Sequence, residues 1–258
     1  MAQEPDYRTV LTDMNVRRRM GRLLKMSVYC GLKALGDASP EHVAGIITVT
    51  GMGFMKDTVS FGNSIFDRQE EMLNPSPFMQ STFNTASGYL ALIRKIRSYN
   101  TTYVHGAGGM AAALADAFML LAGNDGKGVL LGAFDEAVPE VDIIRRRLCP
   151  ENRNPLGEGA CALYLSSENP PSGEPDVRLC AVAPASSGMS VFSPCLPGAN
   201  ADVHLMKCGA HVAEMGEFQS LLPVLLCRAI SEGTLEQGFT VIMDDVNEGG
   251  LMLLVEKS

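Results

Sequence analysis

The chain has 258 residues, 46% of them hydrophobic and 19% charged, with a net charge of −8. That is enough apolar material for one large domain or two lobes around a sizeable core, and the negative balance disfavours nucleic acid or an anionic membrane as partner. The charged fraction lies below the usual ~25%, which points to surface covered by another chain.

Met1 to Tyr7 is polar and acidic, without the apolar region of a secretory leader. The basic run Arg17-Arg18-Arg19 reads as a solvated helix face. Asn15 to Leu35 has helical periodicity, with Val16, Met20, Leu23, Leu24, Val28 and Leu32 on one face and Gly36 after it. Val43 to Gly53 is a β-branched run closed by glycines, a buried strand. A short helix is expected over Phe61–Leu73. Pro75 and Pro77 then punctuate a loop, and Ser81 or Thr82 caps a helix running to Arg97.

Asn100 to Gly123 reads as a strand, a glycine turn and a helix. Met110 to Ala122 is apolar on every side except at Asp116, so the helix is expected to be buried all round. It is also too short and too interrupted for the ~20 residues of a membrane span. A buried strand follows over Gly126–Glu136, another over Glu158–Ser167, and a Pro/Gly-rich hinge or hairpin end over Glu168–Asp176. Then come a strand over Val177–Ala185, an irregular stretch, a helix over Phe218–Ser231 despite Pro223, and two strands, Thr240–Val246 and Leu251–Lys257. Alternating strands and helices define the class as α/β.

The seven cysteines are odd in number and scattered, with no CxxC, as for buried thiols in a reducing cytoplasm. Only four histidines exist, none paired with Cys at ligand spacing, so neither metal nor cofactor is expected.

In order along the chain, the segments NPSPFMQSTFNTASGYLAL, NTTYVHGAGGMAAALADAFMLLAG, GVLLGAFDE and NPLGEGACALYL resemble the β-ketoacyl synthases of the thiolase superfamily. The resemblance covers residues 10–167. It implies a thiolase-like layered fold with helices sandwiched between mixed β-sheets and a truncated second half. Residues 1–167 form the ketosynthase-like first half, and 168–258 an abbreviated second half packed on the same core.

Condensation in that family needs a thiolate raised on the turn before the central helix, where the helix N-terminus lowers its pKa. The matching position here is Ala107, and neither Gly106 nor Gly108 supplies a thiol. The family's His-Gly-Thr-Gly-Thr motif is absent. Its Lys-x-x-x-Gly-His motif is echoed in MKCGAHVAEMGEF, where His211 is offset and an alternative alignment puts Glu217 at the histidine position. No catalytic residue is therefore assigned, with His105, Cys208 and His211 as the weak candidates. His105 has a second reading as a buried, hydrogen-bonded side chain.

The resemblance is nearest to chain-length-factor subunits, in particular the short ones of aryl polyene-type clusters. It implies a catalytically inactive subunit in fatty acid, aryl polyene or polyketide biosynthesis, paired with an active ketosynthase or with itself. Acyl carrier protein would be met through the partner, and the setting would be cytoplasmic. Phe78, Met79, Thr82, Phe83 and Asn84 would lie at the dimer interface beside the partner's acyl tunnel. Phe78, Met79 and Phe83 read equally well as core residues. NTTYV would be the strand that pairs across the interface. Two other functions stay open: an active condensing enzyme or acyltransferase with a displaced nucleophile such as Cys208, and a homodimeric protein that binds acyl chains.

Overall fold

The computed structural model describes residues 4–104, 108–168, 176–197, 203–246 and 250–258. Its first sheet has the spatial order Tyr99–Tyr103 (β2), Val43–Val49 (β1), Gly128–Asp135 (β3), Gly159–Ser166 (β4). β1 runs parallel to β2 and to β3, and β4 returns antiparallel along β3. β1 and β3 are buried from end to end, as strands covered on both faces must be. Their side chains alternate accordingly. Ile47, Val49 and Leu131 face inward, whereas Ile46, Leu130 and Phe134 face the outer helices.

The second sheet has the order Val177–Pro184 (β5), Leu251–Lys257 (β8), Gly238–Met243 (β7), Val203–Lys207 (β6). β6 and β7 are parallel, and β8 is antiparallel to both β7 and β5. Ile242, Leu251, Leu253 and Val255 face the first sheet, and Val241, Met252 and Leu254 face away from it.

Two helices fill the space between the sheets: Gly108–Ala122 (α6) and Leu221–Ser231 (α9), which share one core with both inner faces. Arg22–Leu35 (α2) and Thr85–Arg94 (α5) cover the outside of the first sheet. Outside the second sheet, the 3-10 stretch Met189–Cys195 seats Phe192 on the strands. Among the described residues that 3-10 stretch is the cover on this face. The result is a thiolase-like layered α/β fold. The remaining helices are Met14–Arg19 (α1), Met55–Asp67 (α3), Pro75–Ser81 (α4), Pro139–Leu148 (α7) and Val212–Met215 (α8).

Several elements differ from the sequence-based expectation. The single helix over Asn15–Leu35 is broken at Met20, which is extended and buried, and the Gly21 N–H donates to Gln80 Oε1 at 2.6 Å. Pro75 does not punctuate a loop. It opens α4, where a missing N–H costs nothing, and the Asn74 side chain accepts from Ser76 N at 3.0 Å. The helix expected from Ser81 or Thr82 to Arg97 instead begins at Thr85 and ends at Arg94, because Thr82 is extended. α6 is not buried all round, since Phe118 and Met119 are 43% and 69% exposed. Pro223 is tolerated because it sits in the first turn of α9, where backbone N–H groups have no helical acceptor. α7 and β6 were not anticipated. The expected hinge over 168–176 lies largely outside the described residues.

Candidate functional site

The carboxyl ends of β1 and β3 meet the start of α9, and one carboxylate ties them together. Asp135, the last residue of β3, accepts from Gly51 N at 2.7 Å and Thr50 Oγ1 at 3.2 Å through Oδ1. Through Oδ2 it accepts from Ser220 N at 2.8 Å and Ser220 Oγ at 2.6 Å. Burial pushes the Asp135 carboxyl up, and the donors from Ser220, Gly51 and Thr50 pull it down. Thr50 Oγ1 in turn accepts from Gly53 N at 2.9 Å. The group joins the first sheet to the second half's central helix, and it is saturated with donors.

Glu217 is held the same way. Its carboxylate accepts from Asn152 Nδ2 at 2.8 and 2.9 Å and from Asn154 Nδ2 at 2.8 Å. Its backbone exchanges hydrogen bonds with the neighbouring segment, Gly157 N to Glu217 O at 2.9 Å and Glu217 N to Pro155 O at 2.7 Å. The two chains cross where glycine is required: a Cβ on Gly157 would lie 2.5 Å from Met215 O, and one on Gly216, at φ +78°, would lie 2.4 Å from the Gly157 Cα. One residue on, Glu158 grips Arg22 with both oxygens, at 2.6 and 2.8 Å.

Of the weak catalytic candidates, only Cys208 and His211 lie among the described residues. Ala107 and His105 lie outside the described residues. Cys208 and His211 bound one 3-10 turn. The Cys208 thiol is fully buried, and burial, reinforced by Asp244 and Asp245, pushes it up. That is the reverse of the cationic or helix-N-terminal setting that makes a thiolate. Among the described residues no three His, Cys, Asp or Glu side chains gather as metal ligands, and no helix is long and apolar enough to cross a membrane.

The second group of predicted residues does come together. Phe78, Met79 and Phe83 are 53%, 60% and 47% exposed, so they are not core residues. Thr82 and Asn84 are exposed beside them. Phe78 packs against Phe61 of α3 with the rings tilted by 46° and their centroids 5.1 Å apart. Phe83 covers Gly53, where any Cβ would strike its ring at 2.4 Å. Thr82 and Thr85 share a hydroxyl hydrogen bond of 2.8 Å, which fixes the corner between α4 and α5. A groove of about 520 Å³ runs between residues 81–84 and Asn100, Thr101, Thr102 and Val104.

β2 borders this groove as the outermost strand of its sheet. It carries no charge and leaves one row of backbone groups without a strand partner, an edge that folded proteins seldom leave open. Tyr99 on β2 is 43% exposed, and Leu92 on α5 is 76% exposed.

Sequence reasoning passed over Asp135–Ser220 and the contacts of Asp116. For the first, a signal existed in Ser220 directly before an apolar helix. For the second, the signal was a lone acid in an otherwise apolar one.

Residues 2–190 match the family described as beta-ketoacyl synthase, N-terminal domain. No curated protein matches the chain. Among solved structures, the ishigamide ketosynthase/chain length factor is 14% identical with a TM-score of 0.72, over 97% of this chain and 84% of that one. A ketosynthase (ApeO) in complex with its chain length factor (ApeC) from Xenorhabdus doucetiae is 19% identical with a TM-score of 0.57, over 95% and 81%. AntDE:AntF, a type II PKS acyl-carrier protein in complex with its ketosynthase, is 13% identical with a TM-score of 0.69, over 98% and 88%.

Proposed function

The chain belongs to the β-ketoacyl synthase family, and from that premise we propose that it is a non-catalytic, chain-length-factor-type subunit of an active β-ketoacyl-carrier-protein synthase. The observation that carries this reading is the set of half-exposed apolar side chains Phe78, Met79 and Phe83 on the segment beside the open, uncharged edge of β2. Large apolar side chains clustered on an exposed surface mark a place where a partner docks.

Two further features support it. Positions 105–109 read His-Gly-Ala-Gly-Gly, which offers no sulfur to hold a thioester before the central helix. Cys208, the one alternative nucleophile considered, is sealed and disfavoured as a thiolate. The ketosynthase–chain length factor complexes among the structural neighbours have the assembly we propose here.

In this assembly the partner's cysteine carries the growing acyl chain, delivered by acyl carrier protein in fatty acid, aryl polyene or polyketide synthesis. Phe78, Met79 and Phe83 form a wall against the end of that chain. Forcing extra methylenes into close-packed aromatic surface costs roughly 1–3 kcal/mol, which halts elongation at a length set by the wall. Thr82 and Asn84 hold the corner that presents it.

The test is co-expression with a ketosynthase subunit that has an intact Cys-His-His set, followed by mass spectrometry after incubation with acylated carrier protein. A one-to-one complex with acyl groups only on the partner is expected. An acyl adduct on this chain, or condensation by it alone, overturns the proposal.

A further inference from the structure

Asp116 is the sole charged residue of α6 and is only 9% exposed. Its Oδ2 accepts from Tyr99 Oη at 2.9 Å and from Tyr103 Oη at 3.1 Å. The two tyrosines flank Thr101 on one face of β2, so they hold the carboxylate against the open edge of the sheet. Both phenols feel its charge: the Tyr99 hydroxyl is pushed up chiefly by this hydrogen bond. Tyr103 is pushed up to about 12, by desolvation and then by Asp116.

Among the described residues, no cation pairs with Asp116. All Lys and Arg residues of the chain lie among the described residues, and none of the ion pairs formed there includes Asp116. Beside the open edge the carboxylate keeps only a small residual exposure, 9%. Covering β2 removes it, and a carboxylate left with two neutral phenols opposes association unless the covering chain neutralises it.

We propose that the subunit covering β2 brings one Arg or Lys side chain onto Asp116, completing a hydrogen-bonded ion pair with Tyr99 and Tyr103, and that this pair selects the ketosynthase over a second copy of this chain. The inference rests on the heterodimer reading above. Selection follows from charge complementarity: β2 itself offers only Tyr, Asn and Thr, so edge-to-edge self-pairing brings two such carboxylates to one seam and no cation from the strands. An interface that admits one partner commonly does so by penalising the other.

The experiment measures complex formation between the purified chain and a ketosynthase subunit, with Asp116→Asn and Asp116→Glu beside the wild type, at low and high NaCl. Asparagine still accepts from both phenols, and unchanged melting temperatures establish that the variants fold. Asp116→Asn is expected to weaken the complex at least about tenfold and to flatten its salt dependence, whereas Asp116→Glu keeps that dependence. Equal affinity and equal salt dependence for wild type and Asp116→Asn overturn the proposal, with the heterodimer reading intact. A wild-type chain that self-associates through β2 as tightly as it binds the synthase overturns it as well. A wild-type chain that forms no complex removes the heterodimer reading and this inference together.

Discussion

The Asp135 carboxylate and the Ser220 hydroxyl meet at 2.6 Å where the first sheet touches the helix of the second. With Ser220 N, Gly51 N and Thr50 Oγ1, four donors converge on two oxygens. Asparagine at this position has one acceptor oxygen. Asp135→Asn therefore orphans donors on one side, at about 1–3 kcal/mol for each buried group left unpaired. Urea unfolding is expected to show a lower midpoint with an unchanged slope, and an unchanged midpoint would mean that the seam is not held here.

Glu136 follows directly and is set differently. Burial pushes its carboxyl up, and repulsion from Asp57 adds to the shift, while the backbone hydrogen bond from Lys56 N at 2.8 Å and the charges of Lys56 and Arg22 oppose it. Asp57 is likewise pushed up by burial. The folded state thus holds these protons more tightly than the unfolded chain, so stability present at low pH is lost as pH rises through the raised values. Glu136→Gln keeps an acceptor for Lys56 N and removes the charge. Its melting temperature is expected to exceed that of the wild type near pH 7, and the gain is expected to vanish near pH 4.

Thiol reactivity separates the inert cysteines from the open ones. Cys149 and Cys195 are exposed, whereas Cys161 and Cys208 are buried and their thiols are pushed up. Alkylation of the folded protein at mildly alkaline pH is expected to modify Cys149 and Cys195 and to spare Cys161 and Cys208. Fast labelling of Cys208 would revive a displaced nucleophile.

Met79 is 60% exposed, and a charge there can turn to solvent in the free chain. Met79→Asp is expected to change the stability of the isolated chain by no more than about 0.5 kcal/mol, as for an ordinary surface substitution. The same charge at an apolar interface is expected to abolish the complex with a ketosynthase. Size-exclusion chromatography of the mixture reads the outcome directly, and an undiminished complex would place the interface elsewhere.

The sequence by itself determined the α/β class and the central strands. Val43–Val49 and Gly128–Asp135 are apolar on both faces, and only a strand covered by helices on each side can use such a pattern. It also determined that no thiol stands between Val104 and Met110, because that is a matter of residue identity. The tertiary structure decided what depends on contacts far apart in the chain. Gln80 breaks the first helix at Gly21 from 59 residues away, and local periodicity carries no record of it. Phe78, Met79 and Phe83 have the composition of core, and only the packed fold leaves them half outside it. Ser220 lies 85 residues from Asp135, and Asp116 is 17 residues from Tyr99 and 13 from Tyr103. A lone acid in an apolar helix was visible in the sequence, but its place on an open sheet edge arises only once β2 takes the outermost position.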